Sequence, residues 1–210
     1  MRIIITIAFI INATFCLGQN NVKCDISFLR EWYGDDTIKL SNEHLLYYGF
    51  DCELLSLLKE TPKHRIDTIF SMSMGLPPRL NFQFVKEFKR LILFRAGCAG
   101  NGPCFYVLTD KESGRELQKL PELIYTGEND SVSFVIYFDL KMNNLIIHNL
   151  ETGKKKSIPV ISKRFNEPIP EYQFSGSIIT NGYVVLYYNW EENGKSLNDE
   201  ILIEIKKYKR

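Results

Sequence analysis

The sequence predicts a mainly β protein of the α+β class: an antiparallel β-meander that forms one twisted sheet, a sandwich or an open barrel, with a short helical N-terminal segment. Apolar and polar residues alternate over residues 132–139 and 200–206, which is the two-residue period of a half-buried strand. Asn181-Gly182 lies between two β-rich runs and is the strongest hairpin signal in the chain. Residues 91–109 contain two further β-rich runs on either side of a short loop of Gly, Asn and Pro.

The first residues have the pattern of a secretory signal. Arg2 is followed by an apolar run, residues 3–11, and then by smaller and more polar residues up to Gly18. The apolar run is shorter than the ~20 residues that a membrane-spanning helix needs. We therefore expect cleavage after Gly18, a mature chain that begins at Gln19 with no transmembrane segment, and export to a periplasm or to the extracellular space.

Four cysteines remain in the mature chain once Cys16 is removed with the signal: Cys24, Cys52, Cys98 and Cys104. An even number in an oxidising compartment favours disulfides. Three pairings are possible, and the short loop favours Cys98–Cys104, which leaves Cys24–Cys52. The Cys and His spacing of a zinc site is absent from the sequence, so we expect neither a metal site nor a cofactor.

The charge balance limits the classes of partner. The chain carries 26 basic and 25 acidic side chains, and Arg2 is the only charge before Gln19, so the mature chain is formally neutral. A nucleic-acid binder or a membrane-surface binder would show a basic excess. Length and apolar content suit a single domain over residues 19–210, mostly helical or irregular over 19–78 and a β-meander over 79–210.

The helical expectation rests on three capping residues. Asp25 and Ser41 each precede a short run with helical spacing, and Asp51 precedes residues 52–58, in which the leucines form one stripe. Residues 66–74 fit a helix and a strand equally well.

A faint internal repeat offers an alternative architecture. A strand, an acidic turn that ends in Gly and a basic residue, and a second strand recur three times, with the turn glycines at Gly114, Gly153 and Gly194. The spacing of about forty residues is close to one propeller blade. A closed propeller has at least ~4 blades, and any meander with Gly turns has some such rhythm, so few-bladed propeller-like repeats are the alternative to one sheet.

No catalytic signature is visible in the sequence. The acid pairs Asp35-Asp36 and Glu191-Glu192 are sequence neighbours and do not by themselves supply the two facing carboxylates, ~5–10 Å apart, of a glycoside hydrolase. Residues 96–103 lack the Lys-Ser/Thr ending of a phosphate-binding loop. His148 lies on the apolar face of its predicted strand and suits a core position. These observations favour a protein that is not an enzyme.

Aromatic residues beside carboxylates are the candidate binding residues, because exposed rings stack on sugars or fill pockets of a partner. Strand alternation, however, places two of them on the apolar side of their strand, which suits a core. Asn101, in the loop between Cys98 and Cys104, is a further candidate because a rigid loop loses little entropy on docking. The aromatic candidates are Tyr187, Tyr188, Trp190, Trp32 and Tyr33.

The sequence therefore predicts an exported, non-enzymatic domain that binds another protein or a cell-envelope component such as a glycan. The alternative is an envelope hydrolase that acts on glycan or peptide with carboxylates from separate loops.

Overall fold

In the computed structural model the described residues are 37–51, 53–73, 82–96, 104–127, 132–165 and 170–205. They form fifteen strands, all paired antiparallel, and two short 3-10 helices, Ser162–Arg164 and Pro170–Gln173. The mainly β prediction is confirmed.

The strands fall into four sheets, numbered I to IV in chain order. Sheet I contains β1 (Ile38–Lys39), β2 (Leu45–Phe50), β3 (Leu54–Glu60) and β4 (Ile66–Ser73). Sheet II contains β5 (Gln83–Glu87), β6 (Leu91–Ala96), β7 (Phe105–Asp110) and β8 (Glu116–Leu120). Sheet III contains β9 (Leu123–Tyr125), β10 (Phe134–Phe138), β11 (Asn144–Asn149) and β12 (Lys155–Pro159). Sheet IV contains β13 (Phe174–Thr180), β14 (Tyr183–Glu192) and β15 (Lys195–Glu204).

Within each sheet every strand pairs with the strand that precedes or follows it in the sequence. The predicted meander is therefore present, but it is divided among four separate sheets rather than forming one continuous sheet, and none of them closes into a barrel. The propeller-like arrangement stays a prediction.

The sheets pack in series through three apolar clusters, each shared by two neighbours. The inner strands β6 and β10 of sheets II and III are buried on both faces and accordingly consist of nearly continuous apolar residues. The cluster between sheets I and II includes Leu57 and Phe94, the cluster between II and III includes Leu93 and Val135, and the cluster between III and IV includes Ile136 and Leu186.

The helices predicted after Ser41 and Asp51 are wrong, because these segments form β2 and β3. Leucines at 54, 55, 57 and 58 fit both periods, and packing against sheet II selects the strand. The Asp51 carboxylate still accepts backbone hydrogen bonds, from the N–H groups of Glu53 (2.8 Å) and Leu54 (2.6 Å), but it stabilises a turn rather than a helix. The helix predicted after Asp25 lies outside the described residues.

Both predicted hairpins are confirmed. β6 pairs with β7 from Leu91 opposite Asp110 to Ala96 opposite Phe105. Thr180 lies opposite Tyr183, so Asn181-Gly182 is a two-residue turn, and both of its residues have positive φ, 47° and 84°.

The three turn glycines of the sequence repeat have left-handed backbone, with φ of 71° for Gly114, 70° for Gly153 and 73° for Gly194. The turns differ in length. The N–H groups of Gly114 and Gly153 donate to the carbonyl four residues earlier, whereas Asn193-Gly194 is a two-residue turn between Glu192 and Lys195. In sheet I His64 has φ 58° before β4, in a shorter turn in which its N–H donates to the carbonyl of Thr61.

Candidate functional site

A cleft of about 780 Å³ opens beside β9 and β13, the first strands of sheets III and IV. Its wall combines charged, hydroxyl and aromatic side chains with the backbone of β13. The residues that define it best are Arg95, Thr126, Glu171, Tyr172, Phe174 and Gly176.

Arg95 and Glu171 form the charged part of the wall. Arg95 is at the end of β6 and its Nη2 lies 3.4 Å from Oε1 of Glu171, which belongs to the 3-10 helix Pro170–Gln173. Gln173 fixes this helix, because its buried amide donates to the carbonyls of Arg164 (2.8 Å) and Asn189 (3.0 Å). The position of Glu171 is thus set by contacts with sheet II on one side and sheet IV on the other.

Glu122 lies behind Glu171, in the connection between β8 and β9. Burial raises the pKa of Glu122 to about 8, and the charge and hydrogen bonding of Glu171 add to the shift. The raised pKa means that Glu122 carries its proton at neutral pH. Glu122 Oε1 is buried and accepts no hydrogen bond from the described residues.

The cleft also offers an open aromatic surface. Tyr172 precedes Gln173 and is 73% exposed at the cleft. Gly176 lines the same cleft, and a Cβ at this position would meet nothing within 4 Å. A ring, a salt-bridged carboxylate and a guanidinium suit the recognition of a ligand with hydroxyl groups.

The three described aromatic candidates, Tyr187, Tyr188 and Trp190, do not form one exposed surface. Tyr188 is 3% exposed and belongs to the core between sheets III and IV, as strand alternation indicated. Trp190 packs against the same core, with the guanidinium carbon of Arg164 4.5 Å from its ring centroid. Tyr187 is 37% exposed on the opposite face of β14. Trp32, Tyr33 and Asn101 lie outside the described residues.

Arg164 covers Trp190 because it is held by two other side chains. It donates to the Tyr188 hydroxyl (3.0 Å) and to the Asp199 carboxylate. The Tyr188 hydroxyl in turn donates to Asp199 (3.2 Å). The ring face of Trp190 is therefore occupied by a cation of the same chain.

Cys104 is buried and disulfide-bonded. Its partner lies outside the described residues, as do Cys24, Cys52 and Cys98. The pairings Cys98–Cys104 and Cys24–Cys52 stay predictions.

Sequence reasoning missed Arg95, Glu122 and Glu171. They come from three separate segments with no spacing pattern that links them. The one available signal is Arg95 itself, a charge directly after the apolar run of β6.

No protein-family model matches the chain, and no curated protein matches it. Within the part of the chain that the structure describes, no helix combines the length and apolar character needed to cross a bilayer. In the same residues, no group of three or more His, Cys, Asp and Glu side chains is placed to hold a metal ion.

Proposed function

We propose that the protein is an exported, non-enzymatic binding domain and that the cleft beside β9 and β13 takes a hydroxyl-rich ligand such as an envelope glycan. The observation that carries the proposal is the Arg95–Glu171 pair in the wall of an open cleft with the exposed ring of Tyr172. The volume lies in the range of ligand pockets in general.

A sugar hydroxyl both donates and accepts hydrogen bonds. Glu171 is an acceptor and Arg95 a donor, and they lie within 3.4 Å of each other, so adjacent hydroxyls of one ring are suited to both. The apolar C–H face of a sugar ring suits the exposed face of Tyr172.

The same geometry favours binding over hydrolysis. Glycosidases hold their two carboxyl groups about 5–9.5 Å apart, so that the scissile bond or a water fits between them. Glu122 is instead buried, and the charge and hydrogen bonding of Glu171 add to its raised pKa, which does not suit two separated carboxyl groups on either side of a substrate bond.

The test is calorimetric titration of the mature protein with soluble N-acetylglucosamine and glucose oligosaccharides. Tyr172→Ala removes the stacking surface and is expected to weaken binding about tenfold, which corresponds to about 1.4 kcal/mol. Gly176→Gln adds a side chain at a cleft position where a Cβ meets no atom within 4 Å, and it is expected to narrow the cleft and weaken binding as well. Tyr187→Ala is the matched control, because Tyr187 lies outside the cleft wall.

Three results would contradict the proposal. The first is the absence of oligosaccharide binding. The second is equal affinity of the Tyr172→Ala and Tyr187→Ala variants for the oligosaccharide. The third is the appearance of shortened oligosaccharides in the titration cell, which would support the hydrolase alternative.

Export is proposed from residues 1–18 alone, which lie outside the described residues. Intact mass of protein recovered from an exporting host is expected to show a chain that begins at Gln19. A mass that retains residues 3–11, or a lipid on Cys16, contradicts this proposal.

A further inference from the structure

We propose a second binding site, separate from the cleft: the outer edge of β15 takes an extended segment of a partner protein, which adds to sheet IV as its fourth strand. Strand addition at a sheet edge is a general mode of peptide recognition, in which main-chain hydrogen bonds give affinity and side-chain pockets give specificity. The occupant is a segment with apolar residues in alternation and a basic residue at each end.

Sheet IV is one strand short of its neighbours. Among the described residues sheets I to III have four strands each, whereas sheet IV has three, and β15 pairs only with β14. β15 is ten residues long and pairs with β14 along its whole length. A fourth strand on its other side would complete the pattern of the fold.

The backbone groups of the free edge can be assigned. The N–H of Ile205 donates to the carbonyl of Gly182, on the β14 side. Because these groups alternate along a strand, Leu202 and Glu204 direct their N–H and carbonyl groups away from β14. The N–H of Glu200 has the same direction but already donates to the Asp199 carboxylate (2.8 Å).

A groove lies alongside this edge. It has a volume of about 450 Å³ and runs between β15 and the chain that leaves β12. Leu202 is 56% exposed and Ile161, on the facing wall, 50% exposed. Inward-facing apolar side chains of an added strand would fill this groove beside Ile201 and Val160.

Lysine and proline are among the residues that blunt natural edge strands. The outer strand of sheet III, β12, contains Lys155, Lys156 and Pro159, and the outer strand of sheet II, β8, contains Lys119. From Asn198 to Glu204, β15 has neither residue type, and the outer strand of sheet I, β4, also lacks both. The edge of β15 is therefore one of the edges without this protection.

Charge indicates the chemistry of the occupant. Glu200, Leu202 and Glu204 lie on one face of β15, and neither carboxylate forms an ion pair with a described residue. Asp199, on the other face, is already paired with Arg164. An incoming strand with a basic residue opposite each glutamate and an apolar residue opposite Leu202 matches this row.

The probe is a synthetic peptide with the core Lys-Ile-Val-Ile-Lys, whose binding is followed by fluorescence anisotropy. It places lysines opposite Glu200 and Glu204, valine opposite Leu202 and isoleucines toward the groove. We expect saturable binding and, on hydrogen exchange, new protection of the Leu202 and Glu204 amides. The Ile203 amide, which faces β14, is the internal reference.

Leu202→Lys is expected to weaken peptide binding about tenfold or more, because an apolar contact is lost and a like charge is introduced. Leu117→Lys is the matched control, since Leu117 is 55% exposed on β8, the outer strand of sheet II. N-methylation of alternate peptide amides is expected to abolish binding to the unaltered protein, which tests strand addition independently of any variant's folding.

Four outcomes would overturn the proposal. The first is no binding of the peptide. The second is an equal effect of Leu202→Lys and Leu117→Lys. The third is tighter binding of a Glu-Ile-Val-Ile-Glu peptide, which would point to the basic residues 206–210 of the sequence rather than to the two glutamates. The fourth is protection of the Leu202 and Glu204 amides without peptide. That result would assign the edge to another segment of this chain or to a second copy, and sedimentation would distinguish the two.

Discussion

The ammonium group of Lys59 has no exposed surface and donates a hydrogen bond to the backbone carbonyl of Glu112, so that β3 of sheet I is joined to the turn after β7 in sheet II. A second donor–acceptor contact, 3.4 Å long, reaches the carbonyl of Lys111. The ammonium lies 3.8 Å from Asp67, and burial lowers the pKa of Lys59. The buried ammonium group of Lys59 thus links sheet I to sheet II.

Lys59→Ala is expected to lower the free energy of unfolding by about 2–4 kcal/mol, because it leaves a cavity and two carbonyls without their donor. Lys59→Met keeps the apolar stem and is expected to cost less. Urea denaturation measures both. Lys156→Ala, at an exposed position, is the control with an expected change within about 0.5 kcal/mol. Wild-type stability in Lys59→Ala would mean that the junction does not depend on this side chain.

The Glu122–Glu171 pair predicts a pH dependence of stability. The pKa of Glu122 is raised from 4.5 to about 8 in the folded protein, so the folded state binds more protons than the unfolded state between these values. The contribution of Glu122 to stability is fully present below pH 4.5 and is lost as the pH rises through about 8.

Glu122→Gln keeps a hydrogen-bond donor for Glu171 but has no carboxyl group that titrates. The stability of this variant is therefore expected not to show the fall with rising pH that Glu122 causes. Urea midpoints measured between about pH 5 and pH 9 compare the two proteins. Parallel pH profiles for wild type and Glu122→Gln would contradict the raised pKa of Glu122.

Gly182 is expected to be far more sensitive to a β-branched residue than Gly176. Gly182 has φ of 84° in the two-residue turn between β13 and β14, and an L side chain there costs of order 1–2 kcal/mol. Gly176 has no such φ and open space at its Cβ position. Thermal melting of Gly182→Val and Gly176→Val measures the difference, and equal melting temperatures would refute the type I′ turn.

His64 and Gly153 both have left-handed backbone, which predicts opposite effects of exchanging the two residue types. His64→Gly is expected to stabilise the protein by about 0.5–1 kcal/mol, since glycine adopts φ of 58° without strain and the exposed contact of His64 with Glu60 (2.7 Å) contributes little. Gly153→His is expected to destabilise it by about 1 kcal/mol, because φ is 70° there. A Cβ at position 153 meets no atom within 4 Å, so no steric clash adds to this cost. Chemical denaturation of both variants is the measurement, and changes of the same sign would mean that backbone strain does not decide the stability at these two positions.

The sequence by itself determined the elements whose pattern is unambiguous. The apolar run of β6, the alternation over residues 132–139 and along β14, and the pair Asn181-Gly182 predict strands and a turn, because each pattern fits one backbone period or one class of dihedral angles. Alternation also assigned Tyr188 and Trp190 to the core side, and Tyr188 is buried there. The strand over residues 132–139 is correct, but the expectation that only one of its faces is buried is wrong, because all of β10 is buried.

Only the tertiary structure decided the remainder. The leucines of β3 satisfy helix and strand alike, and the apolar face of sheet II, distant in sequence, selects the strand. Arg95, Glu122 and Glu171 carry no shared pattern, since their proximity arises from the packing of three sheets. These features depend on contacts between residues that are far apart in the sequence. Local hydrophobic periodicity carries no information on such contacts and therefore does not predict them.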